Sequence, residues 1–193
     1  MKILRLILLS LLFILSGCAN RQPQPQPQPI LANPYSQGTI LREAEDFFGR
    51  GAQGVADAFN RVFADNEGSP GAYVKGEEGG ASFGIGLRYG HGTLYLSDGS
   101  TSPVYWRGPS LGVDIGGSAT KVFMLIYNMN TVNDLYQRFG GVEGSLYFIG
   151  GVGVNYNSLD SMVVAPVRFG LGWRQGVNIG YLHLSPESSW LPF

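Results

Sequence analysis

Between Thr39 and Asp65 the apolar residues Phe47, Phe48, Val55, Phe59, Val62 and Phe63 recur at three- and four-residue spacings, with Arg42, Glu43, Asp46, Asp57 and Arg61 mostly elsewhere. That is the pattern of an amphipathic helix. Gly49, Gly51 and Gly54 interrupt it, and each glycine costs about 1 kcal/mol in a helix interior. The stretch, about 39–65, therefore predicts two helices with a break near 49–52. Phe47/Phe48 and Phe59/Phe63 are expected to cover a sheet. An amphipathic segment can also lie on a membrane, but the polar face here is mixed and on balance acidic, which favours core packing.

After "NEGSPG" the period changes to two. In "SFGIGLRY" (82–89) Phe83, Ile85, Leu87 and Tyr89 share one face, and Ser82, Gly84, Gly86 and Arg88 the other; "TLYLS" follows across a Gly90-His91-Gly92 turn signal, which reads as a hairpin. Further strands are predicted in "SPVYWRG", "LGVDIGG", "KVFMLIYN", "GSLYFIGGVGVNY", "SMVVAPVRFGLGW" and "VNIGYLHLS". One short helix, "TVNDLYQRFG" (131–140), is expected to be capped by Thr131 and ended by Gly140. "KVFMLIY" (121–127) is apolar on both faces and should be covered on both. Glycine pairs two residues apart, Gly84/Gly86, Gly151/Gly153 and Gly170/Gly172, leave bare patches of the kind found where a sheet bends sharply. The fold class is mainly β with N-terminal helices (α+β): a small antiparallel, glycine-rich, strongly curved β-barrel of about 8–10 strands with helices packed against it.

The chain before this domain has a different character. Lys2 and Arg5 precede the apolar run "LILLSLLFIL" (6–15), the layout of an export signal too short to span a bilayer comfortably as a mature helix. Leu15-Ser16-Gly17-Cys18 resembles the bacterial lipobox, which implies cleavage between Gly17 and Cys18, a diacylglycerol on the Cys18 thiol and an acylated amino terminus carrying a palmitate-type chain. The alternative is an ordinary signal peptide with an incidental cysteine. Two or three acyl chains hold a protein stably where one does not, so a permanent membrane tether follows. Ala19 in place of an aspartate points, by analogy with enteric lipoprotein sorting, to the periplasmic leaflet of the outer membrane, with the inner membrane as the other candidate. "NRQPQPQPQPILANP" (20–34) has proline at every second position from Pro23 to Pro29, which favours polyproline II. At about 3.1 Å per residue this spacer reaches on the order of 50 Å. A Pro-rich ligand for an aromatic groove is the other reading, but no basic flank lies beyond Arg21. The organisation is a lipoprotein signal at 1–17, a lipidated stalk at 18–35 and one barrel domain at 36–193.

Composition narrows the chemistry. Without the first seventeen residues the chain keeps eleven basic and fourteen acidic side chains, a formal charge of −3, and no basic run, so no nucleic-acid partner is expected. Cys18 is the single cysteine, which rules out an intramolecular disulfide. "GGSATK" (116–121) lacks the spacing of a phosphate loop, and no G-x-G-x-x-G occurs. His91 and His183 lack a second ligand at metal-site spacing and read as turn or strand residues. There is no G-x-S-x-G elbow, and Glu77-Glu78 reads as a strand end and turn. No cofactor, metal or catalytic group is expected. One stretch remains for binding: "VYWRGPSLGVDIGG" (104–117) sets Trp106, Arg107 and Asp114 near glycines, with Lys121 close behind. A buried Asp114 would need Arg107 or Lys121 as partner. The arrangement is either a structural ion pair or the polar mouth of an apolar pocket for an anionic amphiphile.

The segments "EAEDFFGRGAQGVADAFNRVFAD", "GLRYGHGTLY", "VYWRGPSLGVDIGG", "MLIYNMNTVNDLYQRFGGVEGSLYFIGGVGV" and "NIGYLHLSPESSWLPF" resemble the alphaproteobacterial envelope integrity protein A family, over roughly 39–193. The resemblance implies an exported small barrel in the periplasm with a part in cell-envelope maintenance and no established enzymatic activity. The lipobox and stalk depart from the usual member of that family. More distantly, the order G-P-S-x-G…G-G, an apolar strand ending in Asn128, a short helix and "GGVGV" is similar to the SYLF lipid-binding modules. Two functions follow. One is a membrane-tethered lipoprotein acting by non-catalytic contact with a membrane, a cell-wall component or an envelope protein, through exposed aromatics such as Tyr105, Trp106 and Trp190. The alternative is a carrier of an envelope lipid or other hydrophobic ligand, for which the barrel must be hollow.

Overall fold

Ser36 opens the first helix, α1 (Gln37–Phe48): its Oγ accepts a hydrogen bond from the Thr39 N–H at 3.1 Å, and the helix stops at Gly49, where φ is +110°. This N-cap satisfies a donor that the first helical turn leaves free. A glycine-containing break leads to α2 (Val55–Asp65), so the expected pair of helices is present with its break at 49–54. The computed structural model describes residues 34–52, 54–114, 119–142, 146–169 and 180–189, with the backbone alone at 81–85 and 110–114. The leader, Cys18, the stalk up to residue 33, the Gly170/Gly172 pair, Trp190 and the Asp114 side chain lie outside the described residues, while Tyr35, at the end of the stalk, donates to the Leu96 carbonyl and packs on Tyr73.

The strands are β1 (Ala72–Leu96), β2 (Thr101–Asp114), β3 (Thr120–Tyr127), β4 (Arg138–Gly141), β5 (Tyr147–Ile149), β6 (Val152–Val154), β7 (Asn157–Leu159), β8 (Met162–Phe169) and β9 (Tyr181–Ser185), with the one-turn helix α3 (Val132–Leu135) between β3 and β4. Their order is β3-β1-β2-β9-β4-β7-β8-β6-β5, and β3 also pairs with β8, which closes a barrel. All the pairings are antiparallel. The first arm of β1 pairs with β3 (Ala72↔Ile126 to Glu78↔Thr120) and its second with β2 (Ser82↔Asp114 to Tyr95↔Thr101). One bent strand thus serves as two staves, and the ring has eight.

Alternation along β3 separates two cores. Val122, Met124 and Ile126 point into the barrel with Leu94, Trp106 and Phe139, while Phe123, Leu125 and Tyr127 point outward beneath α1 and α2. Outside, Phe123 meets Phe59 edge-on at 5.2 Å and stacks with Tyr73 at 5.2 Å. Each such fully buried ring contributes about 1.5–3 kcal/mol relative to exposure. The expectation that "KVFMLIY" is covered on both faces, by barrel interior and by helices, holds. Met129 and Leu135, on and beside α3, are fully buried against the interior residues and fill the barrel end next to β3.

Four local expectations change. Gly90-His91-Gly92 is not a turn but the middle of β1's second arm; the hairpin turns instead at 97–100, with Gly99 at φ +85° and the Asp98 carboxylate accepting from the Ser100 N–H. "SPVYWRG" and "LGVDIGG" form one strand, β2. The helix begins in a Thr131/Asp134 capping box, as expected, but ends at Tyr136, and Arg138–Gly141 is a strand. "GSLYFIGGVGVNY" contains the hairpin β5–β6, turning at Gly150 and Gly151, both at positive φ.

Three glycines outside the expected pairs permit a close approach of backbone inside the barrel. Gly76, Gly90 and Gly92 share the inward face of β1 with Val74 and Leu94, and there its two arms approach backbone to backbone. A Cβ on Gly76 would sit 2.2 Å from the His91 carbonyl oxygen and 2.7 Å from the Gly92 Cα; one on Gly90 would enter the Trp106 indole. Since backbone cannot give way as a flexible side chain can, Gly76→Ala is expected to cost at least about 3 kcal/mol, the upper end of overpacking effects. Gly79→Ala, with nothing within 4 Å of its added methyl, should leave the thermal midpoint nearly unchanged; equal losses in the two variants would contradict the close approach.

Candidate functional site

Inside the barrel, beyond the glycine contact, the even-numbered positions of β1 become polar. Glu78 on the first arm is 4% exposed and Arg88 on the second 7%. The Glu78 carboxylate accepts from Arg168 Nε at 2.6 Å (Oε1) and from Trp106 Nε1 at 3.1 Å (Oε2), and Arg88 Nη1 lies 3.0 Å from Oε1. Arg168 also donates through Nη1 to Asn155 Oδ1, and Asn155 Nδ2 donates to Asn157 Oδ1 at 2.8 Å. A buried carboxylate is costly unless paired and hydrogen-bonded. Burial pushes the Glu78 carboxyl up, but the charges of Arg168 and Arg88 and the hydrogen bonds from Arg168 and Trp106 outweigh it and hold the group below the usual carboxylate range. A carboxylate clamped by guanidinium groups and held below the usual carboxylate range is a poor proton shuttle near neutral pH. It is a polar layer that ties both arms of β1 to β2 and β8.

On the outer face the strand register sets Tyr89, Arg107, His183 and Arg138 side by side across β1, β2, β9 and β4. A cleft of 190 Å³ opens at the Tyr89–Arg107 end of this row, bounded by Tyr89, His91, Tyr105, Arg107 and the serines Ser188 and Ser189 beyond β9; His183 and Arg138 lie outside its lining. Burial, then the charges of Arg107 and Arg138, hold the His183 imidazole below its ordinary pKa. The Arg138 guanidinium covers the Tyr181 ring at 4.5 Å.

The residues that sequence pattern groups for binding are divided by this geometry. Trp106 is 2% exposed and points into the barrel, so it belongs to the interior network and not to an exposed aromatic patch. Arg107, its neighbour in a strand, faces the opposite way. Lys121 pairs in register with Glu77 and spends its ammonium on the Phe47 carbonyl, at 2.7 Å, and on the Phe47 ring. It is therefore a clamp on the end of α1; the Asp114 side chain, for which Arg107 or Lys121 is the expected partner, lies outside the described residues. Glu78, expected in a turn, is mid-strand and buried. The signal that finds it is parity: Glu78 shares a face with Ala72, Val74 and Gly76, all inward. The same parity turns Arg88 in and leaves Leu87 37% exposed. Among the described residues no cluster of His, Cys, Asp or Glu could hold a metal ion.

Glu78→Gln leaves two guanidinium groups in the core without their carboxylate, and breaking a buried pair in this way costs about 3–5 kcal/mol. Because folding lowers the Glu78 pKa, its contribution to stability is complete above the ordinary carboxylate range and is lost as pH falls through the depressed folded value. Urea unfolding from pH 7 downward is expected to show this acid loss in the native chain and a smaller one in Glu78→Gln. An identical slope in both would exclude the role.

Among curated proteins none matches the chain. A crystal structure of a beta-barrel-like, uncharacterized protein from Brucella abortus is 43% identical, with a TM-score of 0.75, over 84% of this chain and 100% of the other. The model of the family described as "Envelope integrity protein A" matches residues 33–193. With the match spanning both helices and the whole barrel, the chain belongs to the envelope integrity protein A family.

Proposed function

We propose that this protein is a lipoprotein held to a membrane of the envelope through Cys18, and that it contributes to envelope integrity by non-catalytic contact through its outer surface. The observation that carries the contact reading is the filled barrel. Trp106, Phe139, Met124, Met129, Leu135 and Leu182, each at most 2% exposed, occupy the interior, and the Glu78 layer continues it. Under the helices, Phe48, Phe59, Phe63 and Phe123 close the other space in which an acyl chain could lie. A carrier needs a chamber, and the described side chains occupy both places where the architecture offers one. The lipobox and the Pro/Gln stalk support a fixed anchor with a reach on the order of 50 Å.

Two measurements on the full chain test this. Intact mass should show cleavage before Cys18 with a diacylglycerol and an acyl chain added, and Cys18→Ser should move the protein out of the membrane pellet. A native-like pellet for Cys18→Ser would overturn the anchor. Organic extracts of the purified protein should contain no stoichiometric non-covalent lipid; finding one would replace contact by carriage.

A further inference from the structure

Three buried arginines can be compared within this one molecule. Arg88 and Arg168 both face Glu78. Arg107, on the outside of the barrel wall yet only 8% exposed, has no carboxylate partner among the described residues, and its Nε is buried without a hydrogen-bond acceptor. The neighbouring His183 likewise has Nδ1 buried and unbonded. A guanidinium removed from water without a counter-charge is costly, and such orphaned donors point to an acceptor supplied from outside. Both residues belong to the Tyr89–Arg107–His183–Arg138 row, and the cleft opens over Arg107.

We propose that this cleft binds a phosphate group, with Arg107 as the principal ligand and His183, the register partner of Arg107 on β9, as the neighbouring group that senses the bound charge. The guanidinium fork matches the spacing of phosphate oxygens and can donate two parallel hydrogen bonds. A singly charged carboxylate is a weaker match, because it gains less from the further positive charge that Arg138 places beside His183 along the same row. The Tyr105 and Ser188 hydroxyls at the cleft wall offer further neutral donors. The groups that face His183 are Arg107 from β2 and Arg138 from β4, with Tyr89 and His91 beyond Arg107 on β1. All are cationic or neutral, so the imidazole gives up its proton readily in the empty site and regains it when a dianion enters. Phosphate binding and protonation of His183 are thereby coupled. The same chemistry is presented by a soluble phosphate ester and by an anionic lipid headgroup.

Because His91 and His183 are the only histidines, their ring proton resonances read the site directly. The full chain in detergent micelles is titrated with inorganic phosphate and with glycerol phosphate, then reconstituted in phosphatidylcholine vesicles with and without phosphatidylglycerol. Phosphate or its ester should raise the His183 pKa, with Arg107→Gln weakening the response about tenfold or more and Arg107→Lys retaining part of it. A response to the soluble anions identifies a soluble ester as source; one confined to phosphatidylglycerol vesicles identifies a headgroup. Matching circular dichroism of the variants separates loss of binding from loss of fold. A His183 pKa unmoved by all three probes, or moved equally in Arg107→Gln, overturns the proposal.

Discussion

One carboxylate, that of Glu78, sits between two guanidinium groups beside a cluster of buried apolar side chains inside the barrel. Its partners come from the far arm of its own strand, from β2 and from β8. Glu78 is the shared partner, and removing it leaves both guanidinium groups buried without a counter-ion. The glycine contact between the arms of β1 is the geometric counterpart of this constraint. Without bare backbone at Gly76 and Gly92 the arms could not close to the distance that sets Glu78 beside Arg88.

Much of the architecture is legible locally. The two helices follow from a 3.6-residue period broken by glycines, and the double-sided burial of β3 follows from an uninterrupted apolar run. What escapes a linear reading is anything decided by pairing across the barrel. Gly90-His91-Gly92 has the composition of a turn, yet the same glycines are required where one stretch of backbone lies against another. Arg88 looks like a solvent residue because its carboxylate partner is ten positions away on another stave. Arg107 and Lys121 lie fourteen residues apart in sequence, but one faces a cleft beside β9 and the other fastens the end of α1. Alternation tells which residues share a face; only closure of the ring tells which face is inside.

The helices divide the outer surface as well. They cover β3 and its neighbours with aromatic side chains, and the wall made by β1, β2, β9 and β4 is left to carry polar and cationic groups. Of the described outer surface, that wall carries the cleft over Arg107.

The Glu78–Arg168 pair spans ninety residues of chain, and this separation bears on how the barrel is built. Arg88 and Trp106 are in place early in the sequence, but the second guanidinium arrives with one of the last strands. The Arg168 contact exists only when β8 is docked on β3, and so long-range a contact must repay its loop-closure entropy before it stabilises. The Arg168 contact is therefore a latch: it adds to the stability of the closed ring and nothing to that of the β1–β2 pair alone.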